Sequence, residues 1–360
     1  MKPEEVLSHL RNLKILTIQD YLPVRGDHLG LGDDPKDYPY HDYPIKLQEH
    51  LGINIEVVNS NKLIKVFNKI EDKKAEELAT KWIDDAKNVS GGVKKKDILR
   101  AAKLYFSLKK ILEEYNAYAL TMASWHLATN YIGPAKINVM PPLSWLELGK
   151  ENIPGCCQGL VDCLVTQIIG NHLTDGHQGF VGDILNDWRD WRTVLVEKDP
   201  GDIVILGHCG AHINPHGNDR IPYVIREHII ARSKKLLPPW KKDETPTATT
   251  VEWPLNEEIT IVKFDVYNRR IFLTKGKILD GNKIFHDFSN IYCTNKMVIK
   301  LSPPDGYRVI HNRDEINKVR KSWGNHFVAF YGDLVKKIEE IANLLDFNII
   351  KEIFFVKKED

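Results

Sequence analysis

The hydrophobic pattern of this chain changes its period partway along. In the first part, short apolar runs alternate with stretches of helical spacing. Leu13–Asp20 (LKILTIQD), Ile53–Val58, Ala117–Met122 and Asp202–His208 (DIVILGH) read as strands. Glu71–Lys87, Lys94–Tyr115 and Leu160–Leu173 read as helices. In the second of these, Ile98, Ala102, Tyr105, Leu108 and Leu112 recur at helical spacing, so one stripe faces a core. From Thr247 to Leu301 the period falls to two, in ITIVKF, RIFLTKGKIL and KMVIKL, separated by Asn, Asp and Gly. That pattern predicts antiparallel β structure, a small barrel or sandwich. A strand at His326–Tyr331 follows, then a helix from Asp333 with Leu334, Ile338, Ile341 and Leu345 as its stripe, and a last strand pair to about Val356.

The expected fold class is α/β: a mostly parallel sheet with flanking helices, followed by a smaller antiparallel β barrel-like domain. The expected limits are 12–235 for a flavodoxin- or Rossmann-like α/β domain and 247–322 for the antiparallel β domain. Residues 323–360 should return to the first domain. The stretch Lys234–Thr250 (KKLLPPWKKDETPTATT) reads as a linker, and the Pro/Gly/Asp/Tyr-rich stretch to about Tyr43 as a long loop.

Composition narrows the partners. The 360 residues carry 50 basic and 49 acidic side chains, a formal net charge of +1. A near-neutral chain has no general attraction for phosphate backbones or anionic lipid, so the expected partner is a small molecule, not nucleic acid or membrane. The N-terminus, MKPEEVLSHLRNLK, lacks an apolar signal core, and no apolar run reaches bilayer length. The five cysteines are odd in number and lack C-x-x-C spacing, which fits reduced thiols in a cytoplasmic protein. Adjacent Cys156 and Cys157 lack partner ligands at standard zinc spacing and read as small buried hydrophobes.

Three segments carry candidate chemistry. DIVILGHCGAHINPHGN delivers His208 to the end of a strand, with His212 and His216 in the loop beyond. Imidazole serves as ligand, donor or acceptor, so this cluster points to metal ligation or hydroxyl recognition. WGNHFVAFYGD places His326 at a loop-to-strand junction beside Trp323, an aromatic able to stack on a sugar ring. PGCCQGLVDCLVTQ puts Gln158 between a strand and a helix, and His126 lies just after another strand. In parallel sheets ligands bind beyond the carboxyl ends of the strands, where these residues are expected to converge. P-loop, G-x-G-x-x-G, G-x-S-x-G and H-E-x-x-H motifs are missing, which argues against nucleotide hydrolysis, dinucleotide redox chemistry, serine esterase chemistry and zincin proteolysis.

Taken in order, CCQGLVDCLVTQIIGNHLTD, GHCG and GNHFVAFYGDLVKKIEEIANLLDF resemble the L-fucose isomerase and L-arabinose isomerase superfamily, especially its fucose-isomerase-related branch. The β-rich stretch ending IYCTNKMVIKL fits that family's C-terminal barrel. The resemblance implies a metal-dependent aldose–ketose isomerase, usually with manganese, working through an enediol. It implies His208, His326 and Gln158 as metal-site residues and Asp183, closing GFVGD, as the proton-transfer base. His126, His212 and Trp323 are left as substrate contacts.

The chain departs from the family pattern where C-E-G-D becomes Cys157-Gln158-Gly159-Leu160. An amide cannot act as a carboxylate base, and leucine offers no ligand. Asp162 is not a substitute, because on a helix it lies roughly 200° around from position 160. Asp183, Asp187 and Glu147 are the remaining acids whose approach to the histidines would favour an enzyme. Without them the expected alternative is a non-catalytic sugar-binding or structural subunit. Several members of the resembling family carry an additional N-terminal domain that helps to wall a neighbouring active site; the chain is expected to begin at the second domain, with part of that wall missing or supplied by another polypeptide. The resemblance therefore implies a homo-oligomer: light scattering at micromolar concentration should report more than one copy per particle, and a monomer counts against it.

Overall fold

The computed structural model describes residues 1–20, 42–129, 136–184, 202–210, 222–232, 243–285, 288, 293–310 and 323–354. Strands β1 (Lys14–Ile18), β2 (Asn54–Val58), β3 (Asn88–Val89), β4 (Ala119–Met122) and β5 (Gly155–Cys157) precede the helix Val161–Leu173. Strands β6 (Phe180–Ile184), β7 (Ile203–His208), β8 (Tyr223–Glu227), β9 (Thr247–Val251), β10 (Glu258–Asp265), β11 (Arg270–Leu279) and β12 (Asn295–Leu301) follow it. The chain then runs through β13 (Arg308–Ile310), β14 (His326–Tyr331), the helix Val335–Leu345, β15 (Asn348–Ile350) and β16 (Glu352–Phe354).

The fold is an α/β layer joined to an antiparallel barrel. The first sheet has the order β2-β1-β4-β5, and its three pairings are all parallel. Period-2 alternation sends its side chains into two cores. Leu16, Ile18, Leu120, Met122 and Cys157 face the helices Ser60–Phe67, Asp72–Asp85, Lys95–Tyr115 and Pro142–Lys150. Ile15, Ala119 and Cys156 face the helices Pro3–Leu10, Tyr43–Leu51 and Val161–Leu173. Adjacent Cys156 and Cys157 thus lie on opposite faces and cannot act as a pair. None of the five cysteines is in a disulfide.

The second sheet runs β10-β14-β6-β7-β12-β11, and β11 pairs again with β10, which closes a six-stranded antiparallel barrel. Closure leaves those strands without free edges. Phe272, Phe327, Ile259, Leu206 and Met297 fill its inside, with the Phe272 and Phe327 rings 4.7 Å apart. Val262, Phe264, Ile271, Val328 and Phe330 face outward onto the helix Val161–Leu173. β8 and β9, with β3, form a small side sheet.

Two expectations change here. The switch of sheet falls before β6, not near residue 235: β6 and β7 belong to the barrel, pairing antiparallel with each other and with β14 and β12. The apolar run of β7 is continuous because an inner and an outer core bury both of its faces, a pattern that a barrel strand shares with a parallel one. The last segment supplies barrel strand β14, while its helix Val335–Leu345 packs with the helices Pro3–Leu10 and Val161–Leu173. Among the described residues, no helix is long and apolar enough to cross a membrane.

Every side chain of the helix Val161–Leu173 is buried except the half-buried His172, as expected of a helix between two layers. Gly170 lets it approach the barrel, because a Cβ there would fall directly onto the Phe330 ring. Gly170→Ala should therefore lower the unfolding free energy by about 1–3 kcal/mol, read from urea denaturation. An unchanged midpoint would show that Phe330 moves aside freely.

Candidate metal centre

The strand register assembles the site. Asp183 on β6 lies directly opposite His326 on β14 and directly opposite Gly207 on β7. One row across three neighbouring strands thus carries His326, Asp183 and the residue before His208. The ligand atoms of Asp183, His208 and His326 all lie within 4.8 Å of one another. His326 Nε2 is 3.0 Å from Asp183 Oδ1, and the two imidazole rings are 5.6 Å apart, centroid to centroid. Both histidines are buried, while Asp183 is about one-fifth exposed and marks the open side.

A second group overlaps the first. Cys157, His208 and Cys209 also bring their ligand atoms within 4.8 Å of one another. Cys157 ends β5 of the parallel sheet, so this cluster spans the junction of the two sheets. Trp145 Nε1 donates to Cys157 Sγ at 2.8 Å. Cys209 Sγ is 3.6 Å from His208 Nδ1, and the Gly210 that follows packs against Pro142, where a Cβ would come within 3.1 Å. Burial pushes the Cys157 thiol up, but hydrogen bonds with Cys209, Trp145 and Ser124 outweigh it and hold the thiol below its ordinary range. Cys209 is raised well above that range, first by its hydrogen bond with Cys157 and then by burial.

Gln158 follows Cys157 at the end of β5, half-buried, with φ 68°. Together with Gly159 at φ 74° it makes a left-handed turn, closed by Gly159 N–H donating to Met122 O at 3.2 Å. A glutamine in that region costs about 1–2 kcal/mol, which the flanking strand and helix hold in place. Leu160 is buried in the helix-side core and presents nothing to the site.

The other sequence candidates fare differently. His126 is half-buried on the helix Ser124–Ala128 and belongs to neither ligand cluster. Trp323 was expected to stack on a sugar ring. It is buried instead, with the Arg270 guanidinium 4.1 Å over its ring and Phe272 at its edge. Arg270 is aligned by Asp265, which it meets at 2.6 Å and faces in the strand register. Glu147 accepts from Trp82 Nε1 at 2.7 Å and pairs with Lys150, so it serves the helical layer. His212, His216 and Asp187 lie outside the described residues.

Sequence reasoning missed Cys157 and Cys209 as site residues. Each stands next to a residue that was singled out, Gln158 and His208, and that adjacency was the available signal. No protein-family model matches the chain, and no curated protein matches it.

Asp162 lies away from the histidines, as its helical angle implies. Its Oδ1 accepts from Tyr43 Oη at 2.6 Å and from Val266 N at 3.3 Å. Burial, with Asp265 nearby, pushes its carboxyl from 3.8 up to about 7, against the opposing pull of Lys263 and Tyr43. Folding then binds a proton between those two values, so this group's contribution to stability falls as pH rises through that window. Asp162→Asn should remove the slope. Relative to the unsubstituted protein, its urea midpoint should improve between about pH 5 and about pH 8. An equal difference at both pH values would exclude a protonated Asp162.

Proposed function

We propose that this chain is a divergent metal-dependent aldose–ketose isomerase acting on a small carbohydrate. Asp183, His208 and His326 are the ion's ligands in this reading. The observation that supports it is the convergence of those three ligand atoms within 4.8 Å on three neighbouring strands. Two imidazoles and one carboxylate fit a divalent first-row ion and leave positions open for substrate oxygens; manganese is the ion the sequence resemblance implies. Asp183, His208 and His326 would hold the cation, which when bound would supply polarisation of vicinal carbonyl and hydroxyl oxygens for an enediol-type proton transfer between adjacent carbons.

The chain's own groups divide the remaining work. Asp183, with Oδ1 turned toward His326, is better placed as a ligand than as a separate base. Bound through one oxygen, it keeps the other as an acceptor for the substrate proton. Gln158, at the carboxyl end of β5, offers an amide oxygen and two N–H donors for sugar hydroxyls. Two neutral histidines beside a single carboxylate would leave half of a divalent ion's charge uncancelled, more than an all-carboxylate site would.

A second reading is a carbohydrate-binding subunit without turnover. It is favoured by the amide at Gln158 and the buried side chain of Leu160, where the resembling family has acids. The two readings separate in one experiment: manganese content by elemental analysis, combined with an isomerisation screen over pentoses and hexoses. The isomerase reading expects one ion per chain and turnover of at least one sugar. His326→Ala and Asp183→Asn should each weaken the ion by more than about 100-fold, beyond what loss of an outer-shell contact costs. Metal and sugar binding without turnover would establish the second reading. Absence of metal with absence of turnover would overturn the first.

A further inference from the structure

The two ligand clusters differ in chemical character. We propose that Cys157, Cys209 and His208 form a thiophilic metal site of their own, one that takes zinc- or cadmium-class ions and shares His208 with the Asp183–His326 centre. The three ligand atoms lie within 4.8 Å of one another. The Cys209 Sγ to His208 Nδ1 separation is 3.6 Å. A tetrahedral zinc ion with bonds of about 2.3 Å to sulfur and about 2.05 Å to nitrogen would set these two ligands about 3.6 Å apart.

The site is built before any ion arrives. Cys157 is fixed at the end of β5 by the parallel ladder with β4 and by the Trp145 indole at 2.8 Å. His208 is fixed by its barrel register opposite Asn295. Cys209 continues that strand, and Gly210 seats it against Pro142. Two sulfurs and one nitrogen prefer a borderline-soft ion to manganese, which favours oxygen donors. Three protein ligands leave the fourth tetrahedral position to solvent or another small ligand. Each thiol gives its proton to solvent as it ligates, so binding releases protons.

Sharing His208 makes the two centres compete. A neutral imidazole has one nitrogen lone pair to give, since its other nitrogen carries hydrogen. When His208 serves the thiolates, the Asp183–His326 centre loses a ligand and its harder ion. The thiolate site rests on its own geometry; only the competition rests on the isomerase-type centre proposed above.

Cobalt(II) titration of the full-length protein under reducing conditions tests the site. A sulfur-to-cobalt charge-transfer absorption should grow to saturation at one ion per chain and vanish on adding one equivalent of cadmium. The absorption should be lost in Cys157→Ser with Cys209→Ser and retained in Asp183→Asn. Circular dichroism checks that each variant is folded. The single Cys209→Ser, at the less buried thiol, gives a second variant in which the absorption should fall sharply. No sulfur-to-cobalt absorption in the unsubstituted protein, or the same absorption in the double variant, would overturn the thiolate site. For the competition, manganese bound to the unsubstituted protein should be released by stoichiometric cadmium, read as free manganese by electron paramagnetic resonance. Manganese that stays bound while cadmium occupies the thiolates would overturn the shared histidine.

Discussion

The burial of one helix, Val161–Leu173, between a parallel sheet and a barrel holds the rest of the structure in register. Its apolar side chains share a core with Ile15 and Ala119 of the sheet and with Val328 and Phe330 of the barrel. Several of its polar side chains bond barrel backbone. Phe264 N–H donates to Thr166 Oγ1 at 3.0 Å, and the Gln167 amide bonds both the N–H and the C=O of Gly179. Cys163 Sγ reaches His326 O at 3.6 Å. Buried polar groups must find partners, so these bonds fix where the barrel docks as well as how strongly.

That docking decides which groups meet. The turn before the helix ends β5 and presents Cys157 and Gln158, and the barrel rim brings Asp183, His208, Cys209 and His326 to the same place. The result is a junction at which His208 belongs both to a group with Asp183 and His326 and to a group with Cys157 and Cys209.

Elsewhere, Trp323, a candidate in the sequence, has become structural and adjoins a buried charge cluster. Trp323 lies in a stack with Arg270 and Phe272. Lys263 is fully buried, donates to the Trp323 carbonyl and sits 5.2 Å over the Phe327 ring. Asp265 and Asp162 lie close enough to this lysine to complete a buried charge cluster. Such clusters stay buried because each charge has a partner, and removing one member would strand another.

Much of the secondary structure was legible in the sequence because period 3.6 and period 2 are local properties of the chain. The helix Lys95–Tyr115, the strand His326–Tyr331 and the antiparallel stretch from Thr247 to Leu301 all follow from side-chain spacing alone. His208 and His326 could be singled out as residue types at strand ends and junctions, and Asp183 only through the resemblance of GFVGD. Strand partners could not be read, because a run such as IVILGH is equally apolar in a parallel sheet and in a barrel wall. The sequence therefore determined the elements and the alphabet of the site. Only the tertiary structure placed β6 and β7 in the barrel, turned Trp323 inward and brought Cys157 to His208 and Cys209. Those outcomes depend on pairings between residues far apart in the chain, and no local spacing encodes such pairings.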